Sequence, residues 1–402
     1  MKILMLHNYY QLRGGEGVSF SVEKEILRQL GHEVDTITLD NAVDLIKYND
    51  LHLAARSIWS YESYKRVKER LKSGNFDLMH VQNFFPLFSP SIFDAAAKCN
   101  VPVVQALRNY RLFCMEAGLF KKGELCDQCL KKGSSLPGLQ NRCYKNKFRA
   151  SLAHAALLDF HKYKKTWHKK VHSYVAVSSF VKEKYIEAGW SPQKIYVKHN
   201  SVKPVPEPGA GDGNFFVVVV RLSNDKGLEE LLSVWKCLMD DPAKKTPRLK
   251  IIGNGPLLDK IRLLIIKLNL SLYVEANGSL SLVDTYKQIG KATATIVPSI
   301  RFEPCSRTIA ESYAKGTPVI ATMLGGNSEL VEDRVSGYLI EAHNMSEMTK
   351  AIDTMNNLEH KRYVNMRWKC VEKFQREFSP EKNGKCLENI YMETIRRHES
   401  TL

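Results

Sequence analysis

Pro298-Ser299-Ile300-Arg301-Phe302-Glu303-Pro304-Cys305-Ser306-Arg307-Thr308-Ile309-Ala310-Glu311-Ser312-Tyr313-Ala314-Lys315-Gly316-Thr317-Pro318-Val319-Ile320-Ala321 is the stretch that decides the fold. The apolar run from Ala294 to Val297 feeds into it as a strand, and Ser306-Arg307-Thr308 opens a helix. Gly316 and Pro318 stop that helix, and Val319-Ile320-Ala321 begins the next strand. A strand, a loop with free backbone N–H groups and a helix N-terminus make an anion site in α/β proteins. Two carboxylates flank it. Glu303 falls on the loop, where it accepts hydrogen bonds from hydroxyls. Glu311 falls about two turns into the helix, within reach of a ribose. The ligand these features fit is a sugar nucleotide.

The whole chain has 402 residues, which predicts two domains of ordinary size. Its apolar fraction, 44%, suffices for a core in each. The net charge of +16 asks for an anionic partner, and nucleotide diphosphates, phospholipid headgroups and nucleic acid all qualify. A nucleic-acid reading explains the charge but not the two carboxylates. Met1-Lys2-Ile3-Leu4-Met5-Leu6-His7-Asn8 reads as a short buried strand rather than a signal peptide. No run approaches the roughly 18 apolar residues of a spanning helix. The expected location is the cytoplasm, peripheral on the inner face of the cell membrane. Of nine cysteines, Cys99, Cys237, Cys305, Cys370 and Cys386 lie scattered, so no disulfide framework is expected.

The fold class expected is α/β, with two doubly wound halves facing a central cleft. Residues 1–203 form the first half, with a cysteine-containing insertion at about 110–145. In it, Lys2–Leu6 is a strand, Gly14-Gly15-Glu16-Gly17 a loop that lets backbone approach a ligand or simply turns, and Ser19–Leu30 a helix. Asp77–Val81 and Val101–Leu107 are strands ending in polar residues: His80, Gln82 and Asn83 after one, Arg108, Asn109 and Tyr110 after the other. Ligands in open α/β sheets sit beyond such strand ends. His80 taken singly reads equally well as a hydrogen-bonded core histidine. Cys114, Cys126, Cys129 and Cys143 admit a structural zinc site holding a loop with no obvious core, or a set of reduced thiols. Asn146–Val171 is helical and basic, with Lys162, Lys164, Lys165, Lys169 and Lys170 among His161, Tyr163, Trp167 and His168. Such a segment rests on anionic lipid or is a solvated face.

Pro204–Gly213 is Pro- and Gly-rich and reads as the linker, placed at 204–214. Residues 215–379 form the second half, and a helix from about Pro380 runs to the end. Arg221 and Lys226 sit at the carboxyl end of the second half's first strand and suit a diphosphate. Gly253-Asn254-Gly255 brings backbone against a nucleobase or phosphate, or is a plain turn. Together these parts describe glycosyl transfer from a nucleoside-diphosphate sugar. No Asp-x-Asp pair is present, so side chains and helix dipole are expected to stabilise the departing diphosphate without a metal.

The chain resembles the retaining glycosyltransferases of family 4 (glycosyl transferases group 1), which have the GT-B fold. The residues carrying this are His7-Asn8-Tyr9-Tyr10 with Gly14-Gly15-Glu16, Asp77–Val81, Asn109–Cys114, Arg221–Gly227, Glu303-x7-Glu311, Gly325-Gly326-Asn327-Ser328-Glu329 and Gly337-Tyr338-Leu339. The resemblance implies that Glu303 binds donor-sugar hydroxyls near the reacting carbon, with Arg221 and Lys226 on the diphosphate. It implies that Glu311 binds the ribose and that Pro304, Cys305, Ser306, Arg307 and Thr308 complete the donor site. Gly14-Gly15 would face the donor phosphates. His80, Asn83, Arg108, Asn109 and Tyr110 would bind acceptor, and the last helix would cross back to the first domain. The donor implied is a UDP- or GDP-sugar. The acceptor implied is a polyprenyl-diphosphate-linked glycan in surface polysaccharide synthesis; a soluble acceptor, or a degenerate nucleotide-binding member, is the alternative. Relatives usually carry His where this chain has Arg108, and often His where it has Gln82. Arginine cannot serve as a base.

Overall fold

The structure is a computed structural model that describes residues 1–11 and 14–400. Its contacts divide the chain into two units: Met1–Lys121, Cys126–Ser201 and Pro380–Leu402 in the first, Lys122–Leu125 and Val202–Ser379 in the second. Each unit is built on a six-stranded parallel sheet.

In the first unit the strands are β1 (Lys2–Tyr9), β2 (Glu33–Asp40), β3 (Leu78–Asn83), β4 (Val103–Leu107), β5 (Ser173–Ala176) and β6 (Ile195–Val197). Their order is β2-β1-β3-β4-β5-β6. The strand order reverses between β1 and β3, and that switch point is where such sheets open a crevice at their carboxyl ends. Ile3, Leu4, Met5 and Leu6 are wholly buried, the unbroken apolar run of a strand covered on both faces. The helix Gly15–Gln29 buries Ser19, Phe20, Glu23, Ile26 and Leu27, a stripe at helical spacing that contains one carboxylate. The last helix, Pro380–Glu399, belongs to this unit. Leu387, Ile390 and Tyr391 pack in one cluster with Ile3, Met5, Phe20 and Val104.

The second unit's strands are β7 (Phe215–Val219), β8 (Arg248–Ile252), β9 (Val274–Gly278), β10 (Ala294–Val297), β11 (Val319–Thr322) and β12 (Gly337–Ile340). Their order is β9-β8-β7-β10-β11-β12, with the switch between β7 and β10. Phe216, Val218, Trp235, Ile251 and Ile296 lie in its core.

Two expectations differ from the structure. The basic segment is not one helix: Phe148–Tyr163 ends before Lys165, whose φ of 52° cannot continue a right-handed helix, and Thr166–Lys170 is a separate turn. Trp167 and His161 are buried rather than presented to a surface. The Pro/Gly segment is likewise not free along its length. Gly209, Gly211 and Gly213 donate N–H bonds to the carbonyls of Lys315 (3.0 Å), Gly290 (2.9 Å) and Lys291 (2.8 Å), and Arg367 Nη2 donates to Gly209 O at 2.5 Å. From Gly209 onward it is strapped along the second unit.

Candidate functional site

Three loops meet at the β7/β10 switch point of the second unit. The first is Arg221–Gly227, after β7. Its Gly227, at φ 64°, comes so close to the Pro298 carbonyl that an added Cβ would fall on that oxygen. The Ile300 N–H donates to Asp225 O at 3.1 Å, which locks this loop to the second, Pro298–Ser306. The third is Gly253-Asn254-Gly255, after β8; Leu222 N–H donates to Asn254 O at 3.0 Å, and Gly253 leaves no room for a Cβ against the Val220 carbonyl. These glycines hold the Arg221 loop in place, and the Asn254 side chain is spent accepting from Gly255 N–H at 2.7 Å.

Glu303 is 7% exposed and engages Lys226 Nζ, while Ser299 Oγ donates to the same carboxylate oxygen at 2.7 Å. Burial alone would push its carboxyl up. Lys226 and Arg301, with the Lys226 and Ser299 hydrogen bonds, instead hold it at about 2. Glu303 is therefore a carboxylate at all physiological pH values: an acceptor and a fixed charge, not a proton donor. Asp225 adds a second carboxylate, 3.0 Å from Arg301 Nε and 3.5 Å from Lys226 Nζ. The helix Arg307–Ala314 starts beside this group, pinned by Thr308 Oγ1 donating to the Val219 carbonyl at 3.0 Å. Within it Arg307 Nη2 lies 3.3 Å from Glu311 Oε1. Burial raises Glu311's carboxyl, with Arg307 opposing. Pro304, Cys305 and Ser306 form the turn into that helix, with Ser306 at its N-cap and Cys305 buried. Arg221 is exposed. The structure thus gathers Arg221, Lys226, Glu303 and Thr308 at one strand-end crevice. A groove of about 570 Å³ elsewhere in the unit, lined by Tyr338, Asn344 and Lys350 among others, contains none of them.

In the first unit the residues expected to bind acceptor are mostly spent on the protein. His80 is fully buried; its Nδ1 meets the Tyr391 hydroxyl at 2.5 Å, and burial lowers its pKa to about 4, so it is neutral. Asn83 donates to Asn8 O (2.7 Å) and accepts from Phe85 N (3.1 Å). Tyr110 is fully buried. Arg108 is the most heavily bonded of them. Its guanidinium donates to Glu23 Oε1 (2.7 Å), Asn200 Oδ1 (2.6 Å) and Gln82 Oε1 (2.9 Å), and its side chain is 6% exposed. Lys198 Nζ reaches the same Glu23 oxygen at 2.7 Å, and the Gln82 amide also donates to Glu23. Arg108 and Gln82 are thus two members of one buried network around Glu23. Asn109 donates to Glu16 Oε1 at 2.8 Å. Gly14 and Gly15 are exposed at the start of the first helix, where Gly14 O accepts from Gly17 N at 3.2 Å.

The family model described as "Glycosyl transferases group 1" matches residues 204–373, and that described as "Glycosyltransferase Family 4" matches residues 24–204. The chain belongs to the family 4 glycosyltransferases. It is 26% identical to an uncharacterised glycosyltransferase of Methanocaldococcus jannaschii over 98% of both chains. It is 24% identical to an uncharacterised 42.6 kDa protein in the cps region of Klebsiella pneumoniae, over 85% of this chain and 90% of that one. The Anabaena protein HepE, solved in complex with UDP, superposes with a TM-score of 0.69 at 16% identity, covering 98% of this chain and 100% of that one. The fold is accordingly GT-B, and the protein is a transferase that uses a nucleotide sugar, in a family that retains anomeric configuration.

The transferase's cysteine loop differs from expectation. Cys114, Cys126, Cys129 and Cys143 do line one cavity, of about 20 Å³. Yet among the described residues no group of three or more His, Cys, Asp or Glu is arranged to hold a metal ion. Burial pushes the Cys114 thiol up to about 12 and the Cys129 thiol up to about 11. The loop has a core after all: Leu112, Met115, Leu119 and Phe120 are buried, and Cys126 N–H to Leu119 O (2.8 Å) and Cys143 N–H to Gly138 O (2.9 Å) close it. Sequence reasoning missed Ser299, Asp225 and Arg301, which set the state of Glu303. Arg301 carried a usable signal, being a charge on the same loop two residues before the carboxylate.

Proposed function

We propose that this transferase moves a hexose from a UDP- or GDP-sugar to a hydroxyl of a polyprenyl-diphosphate-linked glycan during assembly of a surface polysaccharide. It works at the anionic cytoplasmic face of the membrane and needs no catalytic metal. The observation that carries the donor half is the Lys226–Glu303–Ser299 group beside the Arg307–Ala314 helix N-terminus. When the bond from the anomeric carbon to the diphosphate breaks, its electron pair leaves with the diphosphate oxygen. Lys226, Arg221 and the first N–H groups of that helix receive the charge, at roughly 3 kcal/mol for each well-aimed donor. Glu303, ionised and hydrogen-bonded, accepts from the sugar's hydroxyls while carbon is electron-poor, and Glu311 accepts from the ribose. Gly253, Asn254 and Gly255 shape the base side. The acceptor hydroxyl bonds to carbon on the face the diphosphate leaves, and its proton balances the departing anion.

The acceptor class rests on two supports. One is the similarity to a protein of a capsule region. The other is a surface of the first unit where Tyr163 is 84% and Tyr61 67% exposed, with Lys162, Lys164, Lys165 and Lys169 exposed nearby in sequence. The two stretches are stitched by His161 Nε2 meeting Ile58 O at 2.8 Å. Aromatic rings among lysines suit an anionic lipid interface. Arg108 belongs to a buried network, so its presence is no argument for a degenerate enzyme. Screening UDP- and GDP-sugars by thermal shift, then by donor turnover in EDTA, tests the proposal. Stabilisation by one donor and metal-free turnover are expected; no donor raising Tm or being consumed refutes it.

A further inference from the structure

β12 is the last strand of its sheet, so its outer edge meets no neighbouring strand. Side chains and a turn occupy that edge instead. Asp333 Oδ1 accepts from Leu339 N–H at 3.0 Å, and Glu347 Oε2 accepts from Glu341 N–H, just past the strand, at 2.7 Å. The Gly337 carbonyl accepts from Arg334 N–H at 2.7 Å. An edge whose outward groups are taken in this way does not add another strand. The groove of about 570 Å³ runs here, along β12, the helix Met345–Asn356 and the start of the helix His360–Lys373. It shares no lining residue with the crevice around Glu303.

The polar groups that remain in the groove are donors. Its carboxylates serve the strand edge, and Asn344 Oδ1 accepts from Glu347 N–H at 3.0 Å. Among the described residues, no ion pair or hydrogen bond engages Lys350 Nζ, the Arg362 guanidinium, the Tyr338 hydroxyl or the Asn344 amide nitrogen. The lining carries three cations against two carboxylates, and Arg334 is already 3.6 Å from Asp333. An oxyanion matches such a surface, because its oxygens only accept. Arginine offers a fork and lysine a point charge, the pair that suits phosphate. The groove is much larger than a phosphate alone and has the size of a small-molecule site. Tyr338 packs against the unit's core and also lines the groove, giving a flat wall for a ring. We propose that this groove is a second ligand site, for a sugar phosphate, with the phosphate on Lys350 and Arg362 and the sugar against Tyr338. A sugar carboxylate presents fewer acceptor oxygens to the same donors and is held more weakly. The site stands apart from the donor crevice and does not rest on the transferase reading.

Isothermal titration calorimetry on the full chain tests it. The probes are the 1-phosphates of glucose, galactose and mannose, glucose 6-phosphate, inorganic phosphate, glucuronate and methyl glucoside. At least one sugar phosphate is expected to bind saturably, about tenfold tighter than inorganic phosphate or glucuronate, with methyl glucoside silent. Lys350→Met and Arg362→Met should each weaken that binding about tenfold, the range for losing one charged hydrogen bond. Both side chains are exposed and lie on different helices, so the melts of these variants should match the wild type. Lys226→Met, which alters the crevice around Glu303, should leave the affinity unchanged. Silence from every sugar phosphate, unweakened binding by both groove variants, or loss in Lys226→Met alone overturns the inference. So does methyl glucoside or glucuronate binding as tightly as the sugar phosphates.

Discussion

Replacing Arg108 by methionine separates a structural role from an acceptor-binding one. The side chain makes three hydrogen bonds from a nearly sealed position, one of them to the Glu23 carboxylate at 2.7 Å. Glu23 keeps Lys198 at 2.7 Å, so the roughly 3–5 kcal/mol of an orphaned buried charge does not apply in full. Losing one charged hydrogen bond, about 2 kcal/mol, and two to neutral groups, about 1 kcal/mol each, outweighs the roughly 1 kcal/mol gained by burying more apolar surface. The expected loss is about 3 kcal/mol. At roughly 2–4 °C per kcal/mol for a unit of this size, the first unit should melt about 10 °C lower. The pH dependence gives a second check. Lys198 and Arg108 overcome burial to hold Glu23 well below the usual carboxylate range. A depressed folded pKa stabilises the protein above the unfolded value of about 4.3 and loses that contribution as pH falls toward the folded one. The gap between wild type and variant should therefore be full at pH 7 and narrow below about pH 4. Circular dichroism melts from pH 3 to 8 measure both. An unchanged melt with transfer abolished would refute the reasoning and return Arg108 to the acceptor.

Glu303→Gln should leave the melt within a few degrees and lower donor turnover by roughly two orders of magnitude or more, since the carboxylate both grips the sugar and fixes Lys226; wild-type kcat would exclude Glu303 from the site. Gly227→Ala forces a left-handed residue against the Pro298 carbonyl and should cost about 1–3 kcal/mol, read as a lower Tm and a raised KM for the donor with acceptor KM unchanged. Changing Lys162, Lys164, Lys165 and Lys169 together to Glu should abolish flotation with phosphatidylglycerol vesicles while soluble-donor turnover persists; retained flotation removes the lipid surface from the proposal.

The strand-end crevice of the second unit was legible because its signals are local. Glu303 and Glu311 sit either side of a helix start, and Arg221 and Lys226 follow an apolar run, so a reader of one stretch meets each pair together. The first unit was less legible because its chemistry is spread over distant residues. Glu23, Arg108, Lys198 and Asn200 lie far apart in the chain, and only folding brings them to one place. Glu23 did carry a faint mark, a carboxylate in the same helical stripe as Phe20, Ile26 and Leu27, where apolar residues belong. Trp167 and His161 show the opposite failure. Lysines around them suggested a lipid face, but His161 lies on the buried side of Phe148–Tyr163, and Trp167 follows the left-handed Lys165, where the chain turns inward. Composition counts charges without knowing which way a broken helix points.

The position of the final helix bears on how the protein is made. Leu387, Ile390 and Tyr391 belong to the same cluster as Ile3 and Met5, which leave the ribosome long before them. The strands of the opening unit must therefore wait, one flank bare, while the uninterrupted stretch from Val202 to Ser379 is synthesised and folds ahead of them. A premature stop between Ser379 and Leu387 would then yield a chain whose later-made half is sound and whose earlier-made half never closes, a species for chaperones and proteases to clear.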